Sequence, residues 1–187
     1  MQVIRTDIPD VCIIEPDVFG DERGFFMEIF QEQRYTDALG LAVDERFVQD
    51  NVSVSKVRGT LRGLHYQAPP FAQGKLVQVF QGTVLDVAVD IRFGSPTYGK
   101  YVAVELSALN KRQFFIPRGF AHGYLTLTDN ALFTYKCTNI YSKEHDRGVL
   151  WNDPAIGIDW PIKDGLILSD KDQQHPLLSA IAHEFTF

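Results

Sequence analysis

The chain has 187 residues, 45% of them hydrophobic, which is enough for one domain with a sizeable core. Its net charge of −6 argues against a nucleic-acid partner, because neutralising phosphates needs a basic face. No apolar run is long enough to cross a membrane, no export signal is evident, and Cys12 and Cys137 form no CxxC motif. We therefore expect a single domain over residues 1–187, located in the cytoplasm with both thiols reduced and without membrane association.

The first predicted element is a short helix over Phe30 to Leu39, because the glycine stop Gly40 follows it. The segment FVQDNVSVS then alternates valines with polar residues, which is the two-residue period of a half-buried strand. Next, KLVQVFQGTVLDVAVDIRFG predicts two strands joined as a hairpin at Gln81-Gly82-Thr83.

Short runs rich in Val, Phe, Tyr and Thr continue this pattern as far as Tyr141, and one or two short helical turns are predicted after Lys163. Many short strands separated by turn residues favour a closed or double-sheet β architecture, whose interior can hold a ligand. The expected fold class is therefore all-β with a few short helices. The predicted breaks between strands fall at Asn110, Pro117-Arg118-Gly119 and Asp129-Asn130.

The segment FIPRGFAHG matches Pro-x-Gly-x-x-His, half of the signature of cupin barrels, and its histidine is His122. The other half is a His-x-His strand, which here has the sequence His65-Tyr66-Gln67. A metal site built on imidazole needs three or four converging ligands, and these strands offer His65 and His122. We therefore predict no metal ion. The remaining histidines lie near turns or the tail and are predicted to be exposed: His145, His175 and His183.

A histidine acts as a general base near neutral pH when a second group holds its ring. Three carboxylates are candidates for that role: Asp86, Asp90 and Asp172. Asp86 and Asp90 share one face of the strand VLDVAVDIR, opposite the apolar residues Leu85, Val87, Val89 and Ile91. This alternation predicts that the two carboxylates face solvent. Nothing local places Asp172 near His65, so the residues alone leave the partner of the base open.

The chain as a whole resembles the dTDP-4-dehydrorhamnose 3,5-epimerases, a family of the cupin superfamily. The matching segments follow in the family's order over nearly the whole chain: DERGFFMEIF, FVQDNVSVS, LRGLHYQAPPFAQGKLVQV, DVAVDIRFGSPTYGKYVAVEL, IPRGFAHGY, YKCTNIY, GVLWNDP and LSDKD. The resemblance implies a cupin jelly-roll β-barrel, a homodimer and no cofactor. It also implies an isomerase that converts dTDP-4-dehydro-6-deoxy-D-glucose to dTDP-4-dehydro-L-rhamnose by inverting carbons three and five.

The resemblance implies a role for individual residues as well. The family's base matches His65, with Asp172 orienting it, the acid matches Tyr135, and Lys75 corresponds to a cation near the sugar carbonyl. These types suit the reaction, because inverting a carbon beside a ketone passes through an enolate that needs a base, a fixed positive charge and a weak acid. The implied substrate-binding residues are Arg23, Glu28, Gln49, Asn51, Arg62, His122, Tyr141 and Lys171.

Arg62 and Arg23 each suit a diphosphate, which a guanidinium meets with two parallel hydrogen bonds. In a regular strand, however, Arg62 and His65 would face opposite sides. Gly63 offers a bulge that re-aims its neighbours, and the alternative is that Arg62 reaches across a subunit boundary.

Three other functions stay open. The first is an epimerase of one carbon, or a ketoisomerase, that acts on a related nucleotide sugar. The second is a metal-dependent cupin oxygenase that uses His65 and His122, and the third is a non-catalytic sensor of sugar nucleotides. Exchange of substrate protons with solvent separates the first and third from a double epimerase, and a chelator separates the second.

Overall fold

The computed structural model describes residues 1–42 and 45–187. Most of the regular structure in these residues is β-strand, with two short helices, so the all-β prediction is confirmed. The helices are α1 (Glu32–Leu39) and α2 (Asp170–Gln173). The strands are β1 (Gln2–Arg5), β2 (Cys12–Glu15), β3 (Val18–Asp21), β4 (Gly24–Met27), β5 (Gln49–Ser55), β6 (Leu61–Gln67), β7 (Lys75–Gln81), β8 (Thr83–Asp90), β9 (Tyr101–Ser107), β10 (Gln113–Ile116), β11 (Phe120–Thr126), β12 (Ala131–Cys137) and β13 (Asp146–Gly148).

The strands form two main sheets with antiparallel pairing. The six-stranded sheet has the order β1-β2-β10-β7-β12-β5, and the five-stranded sheet has the order β13-β6-β11-β8-β9. Strands β3 and β4 pair with each other in a separate hairpin. None of the helices in the described ranges has the length and apolar character that crossing a membrane requires.

Three groups of buried apolar side chains hold these layers together. The first draws from both sheets, for example Val77 and Phe114 from one and Ala88 from the other, and therefore fills the space between them. The second packs the outer face of the five-stranded sheet under the chain that follows β13, including Trp160. The third packs α1, through Tyr35, against the outer face of the six-stranded sheet. Both sheets are thus covered on both faces over much of their area.

The predicted hairpin at Gly82 is wrong, although both of its strands form. Strand β7 pairs with β10 and β12, whereas β8 pairs with β9 and β11, so Gly82 carries the chain from one sheet to the other. Its φ of 78° is in the left-handed region, and a Cβ there would lie 2.5 Å from Oγ1 of Thr128. A turn between two β runs looks the same in sequence whether the strands pair side by side or stack face to face.

The prediction that Asp86 and Asp90 face solvent is also wrong, because both are fully buried. Strand β8 lies inside its sheet, with one face on the core between the sheets and the other under the C-terminal part of the chain. The alternation therefore separates two buried faces, not a buried face from a wet one. Asp90 accepts hydrogen bonds from Arg92, Ser95 and Thr97.

The helical predictions are confirmed with small shifts of boundary. Helix α1 begins at Glu32, after the side chain of Gln31 caps the backbone N–H of Arg34, and it ends at Gly40, whose φ is 67°. The predicted turns near the C-terminus appear as α2 and as a 3₁₀ turn at Leu178–Ala180. Cys12 and Cys137 are free thiols, as expected.

Candidate active site

A cavity of about 490 Å³ lies between the two sheets and is lined by most of the predicted site residues. Its size is within the range of small-molecule binding sites. Its walls combine polar side chains with aromatic ones, including Tyr66, Tyr124 and Phe133. The predicted site residues that line it are Gln49, Arg62, His65, Lys75, His122, Tyr135, Tyr141, Lys171 and Asp172.

His65 and Asp172 form a hydrogen-bonded pair at this cavity. His65 lies on β6, and Asp172 lies on α2, where the Ser169 hydroxyl caps the helix by accepting from the Asp172 backbone N–H. Nε2 of His65 is 2.6 Å from Oδ1 of Asp172. A carboxylate accepts and does not donate, so Nε2 carries the proton of the neutral ring and leaves a lone pair on Nδ1. Asp172 is thus the partner that the residues alone left open.

The protonation states of this pair suit a general base. Burial lowers the pKa of His65 below its ordinary value, against the opposing effect of the Asp172 carboxylate, so the ring is neutral near pH 7. Burial disfavours the charged form of Asp172, but the neighbouring imidazoles of His175 and His65 outweigh it and hold the pKa of Asp172 well below its usual range. Asp172 is therefore ionised and fixes the orientation of the His65 ring.

Tyr135 and Lys75 line the cavity from the opposite sheet. Lys75 on β7 pairs with Cys137 on β12, and Tyr135 is two positions before Cys137, so these side chains share one face. Burial raises the pKa of Tyr135 to about 12, which keeps its hydroxyl protonated. Burial lowers the pKa of Lys75, partly offset by Cys137 and by the carboxylates of Asp86 and Asp146.

A bulge at Gly63 brings Arg62 and His65 to the same cavity. His65 pairs with His122 and Arg62 pairs with Tyr124, so two residues of β6 face one residue of β11. Gly63 has a φ of 139°, and a Cβ there would lie 2.6 Å from the Cα of Gly123. The predicted irregularity is confirmed, and Arg62 lines the cavity of its own chain.

His122 is held by a buried carboxylate that the sequence analysis placed in solvent. Its Nε2 lies 2.9 Å and 3.1 Å from the two carboxylate oxygens of Asp86. Burial raises the pKa of Asp86, and His122 and Lys75 oppose that shift. A signal for this pair exists in the sequence: an aspartate that lies between Val84 and Ala88 on one face of a strand needs a partner if that face is buried.

Polar groups at one side of the cavity are organised around Asp146, which the sequence analysis did not identify. The Tyr141 hydroxyl donates to Oδ2 of Asp146 at 3.1 Å, and the Lys171 ammonium contacts the same oxygen. With Arg62 and Lys75, Lys171 gives this cavity three cationic side chains, which suits a ligand that carries phosphate.

Three predicted residues do not line the cavity. Arg23 lies on the exposed β3–β4 hairpin and pairs with Asp21, while Glu28 pairs with Arg34 at 2.6 Å. The side chain of Asn51 contacts two cavity residues instead, Gln49 through a 3.0 Å hydrogen bond and Cys137 through a 3.7 Å contact to sulfur.

The histidines outside the cavity signature differ in exposure. His183 is exposed, as predicted, and stacks on Phe93. His145 is partly buried, with Nδ1 2.8 Å from the Ser142 hydroxyl. The prediction for His175 is wrong, because its side chain is 8% exposed and lies beside Asp172. The chain just after α2 folds back on β13, where His175 packs on Gly148, and the sequence gives no sign of that contact.

The comparisons with known proteins agree with this fold. A family model described as dTDP-4-dehydrorhamnose 3,5-epimerase matches residues 5–180. A protein of that name from Shigella flexneri is 60% identical over 172 residues, covering 92% of this chain and 93% of the relative.

Solved structures extend the likeness. The epimerase of Legionella pneumophila, in complex with dTDP-4-keto-L-rhamnose, superposes with a TM-score of 0.93 at 52% identity, over 98% of this chain and 95% of that one. A 3'-monoepimerase from Streptomyces bikiniensis, in complex with dTDP-quinovose, superposes with a TM-score of 0.85 at 34% identity, over 94% and 87% of the two chains.

The chain is an isomerase with a double-sheet cupin barrel, and the cavity of that barrel contains a histidine–carboxylate pair and a protonated tyrosine. The chain belongs to the dTDP-4-dehydrorhamnose 3,5-epimerase family. The resemblance read from the sequence is thereby confirmed.

Proposed function

We propose that the chain epimerises dTDP-4-dehydro-6-deoxy-D-glucose at carbons three and five, giving dTDP-4-dehydro-L-rhamnose. One observation carries the chemistry: the base and the acid are on opposite sheets of one cavity, His65 on β6 and Tyr135 on β12. Inversion requires a proton to leave one face of a carbon and another to arrive on the opposite face. Groups on facing walls meet that requirement without turning the sugar.

In the proposed first half of the reaction, the lone pair on Nδ1 of His65 takes the proton from a carbon beside the C4 ketone. The electrons of the C–H bond move into an enolate, and the ring becomes an imidazolium that Asp172 stabilises at 2.6 Å. The Lys75 ammonium stabilises the oxygen on which the negative charge develops, and a fixed donor of this kind typically contributes about 3 to 4 kcal/mol.

In the second half, the Tyr135 hydroxyl donates its proton to the other face of that carbon, and the enolate collapses to the ketone. The cycle closes when the imidazolium gives its proton to water and the phenolate regains one. Carbons three and five flank the same ketone, so one set of groups serves both after the sugar shifts in the cavity. Each inversion therefore replaces a carbon-bound hydrogen with one from solvent.

We propose that Arg62, Lys171, His122, Tyr141 and Gln49 hold the nucleotide diphosphate. Arg62 and Lys171 supply positive charge at the cavity, and Asp86 fixes the ring of His122. The Legionella relative carries a dTDP sugar, which supports the same ligand class here.

The test of the reaction is proton exchange in heavy water. The purified chain is mixed with the 4-keto substrate, and NMR measures the incorporation of deuterium. We expect deuterium at both C3 and C5 of the sugar. Label at one carbon would replace this function with single-carbon epimerisation, the activity in the name of the Streptomyces relative. Binding of the sugar nucleotide without any deuterium incorporation would instead indicate a non-catalytic sensor.

We further propose that residues 1–187 act as one domain in a cytoplasmic homodimer. The β3–β4 hairpin exposes three phenylalanines, with Phe19 64%, Phe25 58% and Phe26 70% exposed, and an isolated two-stranded hairpin is at best marginally stable. Edge strand β5 also turns Val52 and Val54 outward, 67% and 54% exposed.

A second copy of the chain, packed on the β3–β4 hairpin and on β5, would cover both apolar surfaces. It would also account for the positions of Arg23 and Glu28. Arg23 and Glu28 flank the exposed hairpin and do not line their own cavity. We propose that the hairpin crosses to the second copy, so that Arg23 and Glu28 serve the cavity of that copy.

A further inference from the structure

Behind the base, a second histidine converges on the same carboxylate oxygen. Nε2 of His65 is 2.6 Å from Oδ1 of Asp172, and Nε2 of His175 is 3.7 Å from that oxygen. The donor atoms of the three side chains all lie within 4.8 Å of one another. The two imidazole rings meet edge to face, with centroids 5.5 Å apart.

His175 has an unused buried donor atom at this point. Its Nε2 has no hydrogen-bond partner within the described ranges, and 3.7 Å is too long for a hydrogen bond to Asp172. Leaving a buried polar atom unpaired is costly. The ring is also fixed in place, because it lies directly on Gly148, where a Cβ would approach Nε2 to 2.4 Å. Packing on Gly148 therefore keeps the unpaired nitrogen 3.7 Å from the Asp172 carboxylate.

We propose that His65, Asp172 and His175 form a Zn²⁺ site and that zinc bound there inhibits the chain reversibly. Two imidazoles and one carboxylate are a ligand set that zinc accepts, with a fourth position left for water. Zinc–ligand bonds of about 2.0 to 2.2 Å place tetrahedral donors roughly 3.4 Å apart. The 2.6 Å pair must therefore open by about 0.8 Å and the 3.7 Å contact must close by about 0.3 Å, while no donor pair has to close by more than about 1.4 Å. The cavity reaches His65 and Asp172, which gives the ion a path of entry.

The inhibition follows from the tautomer of His65. A zinc ion on Nε2 takes the lone pair there, so the proton of the neutral ring must sit on Nδ1. Nδ1 then has no lone pair with which to take a proton from carbon. At the same time Asp172 gives up its hydrogen bond to His65 and coordinates the ion. The metal therefore removes both the base and its orienting group.

The proposal is tested by titrating ZnCl₂ into the full chain, without nucleotide, by isothermal calorimetry. We expect one zinc per chain, and His175→Asn should weaken binding by at least about tenfold, equivalent to about 1.4 kcal/mol. His183→Asn is the matched control, because it makes the same change at an exposed histidine outside the cavity, and its affinity should equal that of the unchanged chain. Retained dTDP binding by His175→Asn shows that this variant is folded, and His175→Gln provides a second variant.

Activity gives an independent measurement. Buffered zinc should inhibit the unchanged chain, a chelator should restore its rate, and the same zinc concentration should remove a much smaller fraction of the rate that His175→Asn has without zinc. No zinc binding to the unchanged chain, or equal binding by His175→Asn, would overturn the proposal. The proposal would also be overturned if Cys137→Ser lost zinc binding while His175→Asn kept it. Zinc would then be bound at Cys137, whose thiol is another potential zinc ligand in the cavity. The calorimetric result does not depend on which reaction the chain catalyses.

Discussion

His65 and Tyr135 lie on opposite walls of one cavity, the first on a strand of the five-stranded sheet and the second on a strand of the six-stranded sheet. Their states are complementary, because His65 is neutral with a free lone pair and Tyr135 is protonated with a pKa of about 12. One group is ready to take a proton and the other to give one. Substitution of either residue should therefore affect a different proton-transfer step.

Removing the base should stop proton exchange without removing the nucleotide. His65→Ala should lower the rate of deuterium incorporation by roughly 10³-fold, within the usual contribution of a general base, because the imidazole that takes the proton is gone. The affinity for dTDP, measured by calorimetry, should change little. Asp172→Asn should reduce exchange less, since the base stays but loses its fixed orientation. A His65→Ala chain that exchanges protons normally, or that loses dTDP binding in parallel, contradicts the assignment.

Removing the acid should separate proton loss from product formation. Tyr135→Phe keeps the ring but lacks the hydroxyl that protonates the far face. Deuterium should still enter the substrate through His65, while L-rhamno product falls by about 10²-fold or more. Tyr141→Phe is the matched control: it removes a hydroxyl that bonds to Asp146, and because our proposal gives Tyr141 a role in nucleotide binding, it should raise KM more than it lowers kcat. Unchanged turnover by Tyr135→Phe would remove this residue from the mechanism.

The rate should depend on pH through two groups. His65 must be neutral, so activity is lost as the pH falls through its pKa, which lies below the ordinary 6.5. Lys75 must be cationic, so activity is also lost as the pH rises through its pKa, which lies below the ordinary 10.5. Profiles of kcat and kcat/KM should therefore be bell-shaped.

The two limbs can be assigned with one substitution. Lys75→Arg introduces a cation that does not titrate in this range, so the alkaline limb should move upward or vanish, even if the maximal rate falls. The acid limb should stay, because His65 is unchanged. An alkaline limb that is identical in the variant would assign it to a group other than Lys75.

The bulge at Gly63 should be intolerant of a side chain. Gly63→Ala would place Cβ 2.6 Å from the Cα of Gly123, on a residue whose φ is 139°. Backbone atoms on both sides of this contact cannot give way cheaply, so we expect a loss of about 2 to 4 kcal/mol in the free energy of unfolding. Gly20→Ala is the control, since its Cβ would be 3.6 Å from the nearest atom, and denaturant unfolding should barely change. Equal stability of the two variants would argue against a constrained bulge.

Mixing subunits tests whether Arg23 serves a second copy. Chains with Arg23→Ala and chains with His65→Ala should each be inactive, and unfolding and refolding them together should restore activity. In a two-fold dimer with exchanged hairpins, half of the molecules are mixed and each has one intact cavity, which gives about a quarter of the full rate. No recovery would place Arg23 in the cavity of its own chain.

The same assembly can be tested at the hairpin itself. Phe26→Asp puts a charge on its most exposed phenylalanine, so light scattering should show a shift from dimer to monomer. Val57→Asp changes an apolar residue that is 50% exposed outside the hairpin and β5, and it should leave the mass unchanged. If light scattering gives the mass of a monomer for the unchanged chain, the homodimer proposal is wrong.

The amino-acid sequence alone determined the class of fold, the short helix before Gly40, and the motifs that carry the family resemblance. These features are local, because strand alternation, a glycine stop and a run of matching segments are each contained in a few neighbouring residues. The irregularity at Gly63 was also accessible, since a glycine between Arg62 and His65 is the one residue there that permits a bulge at low cost.

The tertiary structure decided which buried groups meet. Asp86 and Asp172 look alike in sequence, yet one lies on a strand with both faces covered and the other on a helix folded back over a neighbouring sheet. The sequence places His175 near the tail, yet the fold brings it beside Asp172 and His65 for the same reason. Strand parity records only that two sets of side chains point in opposite directions. What covers each set depends on residues far away in the chain, and these contacts determine which histidine has its carboxylate.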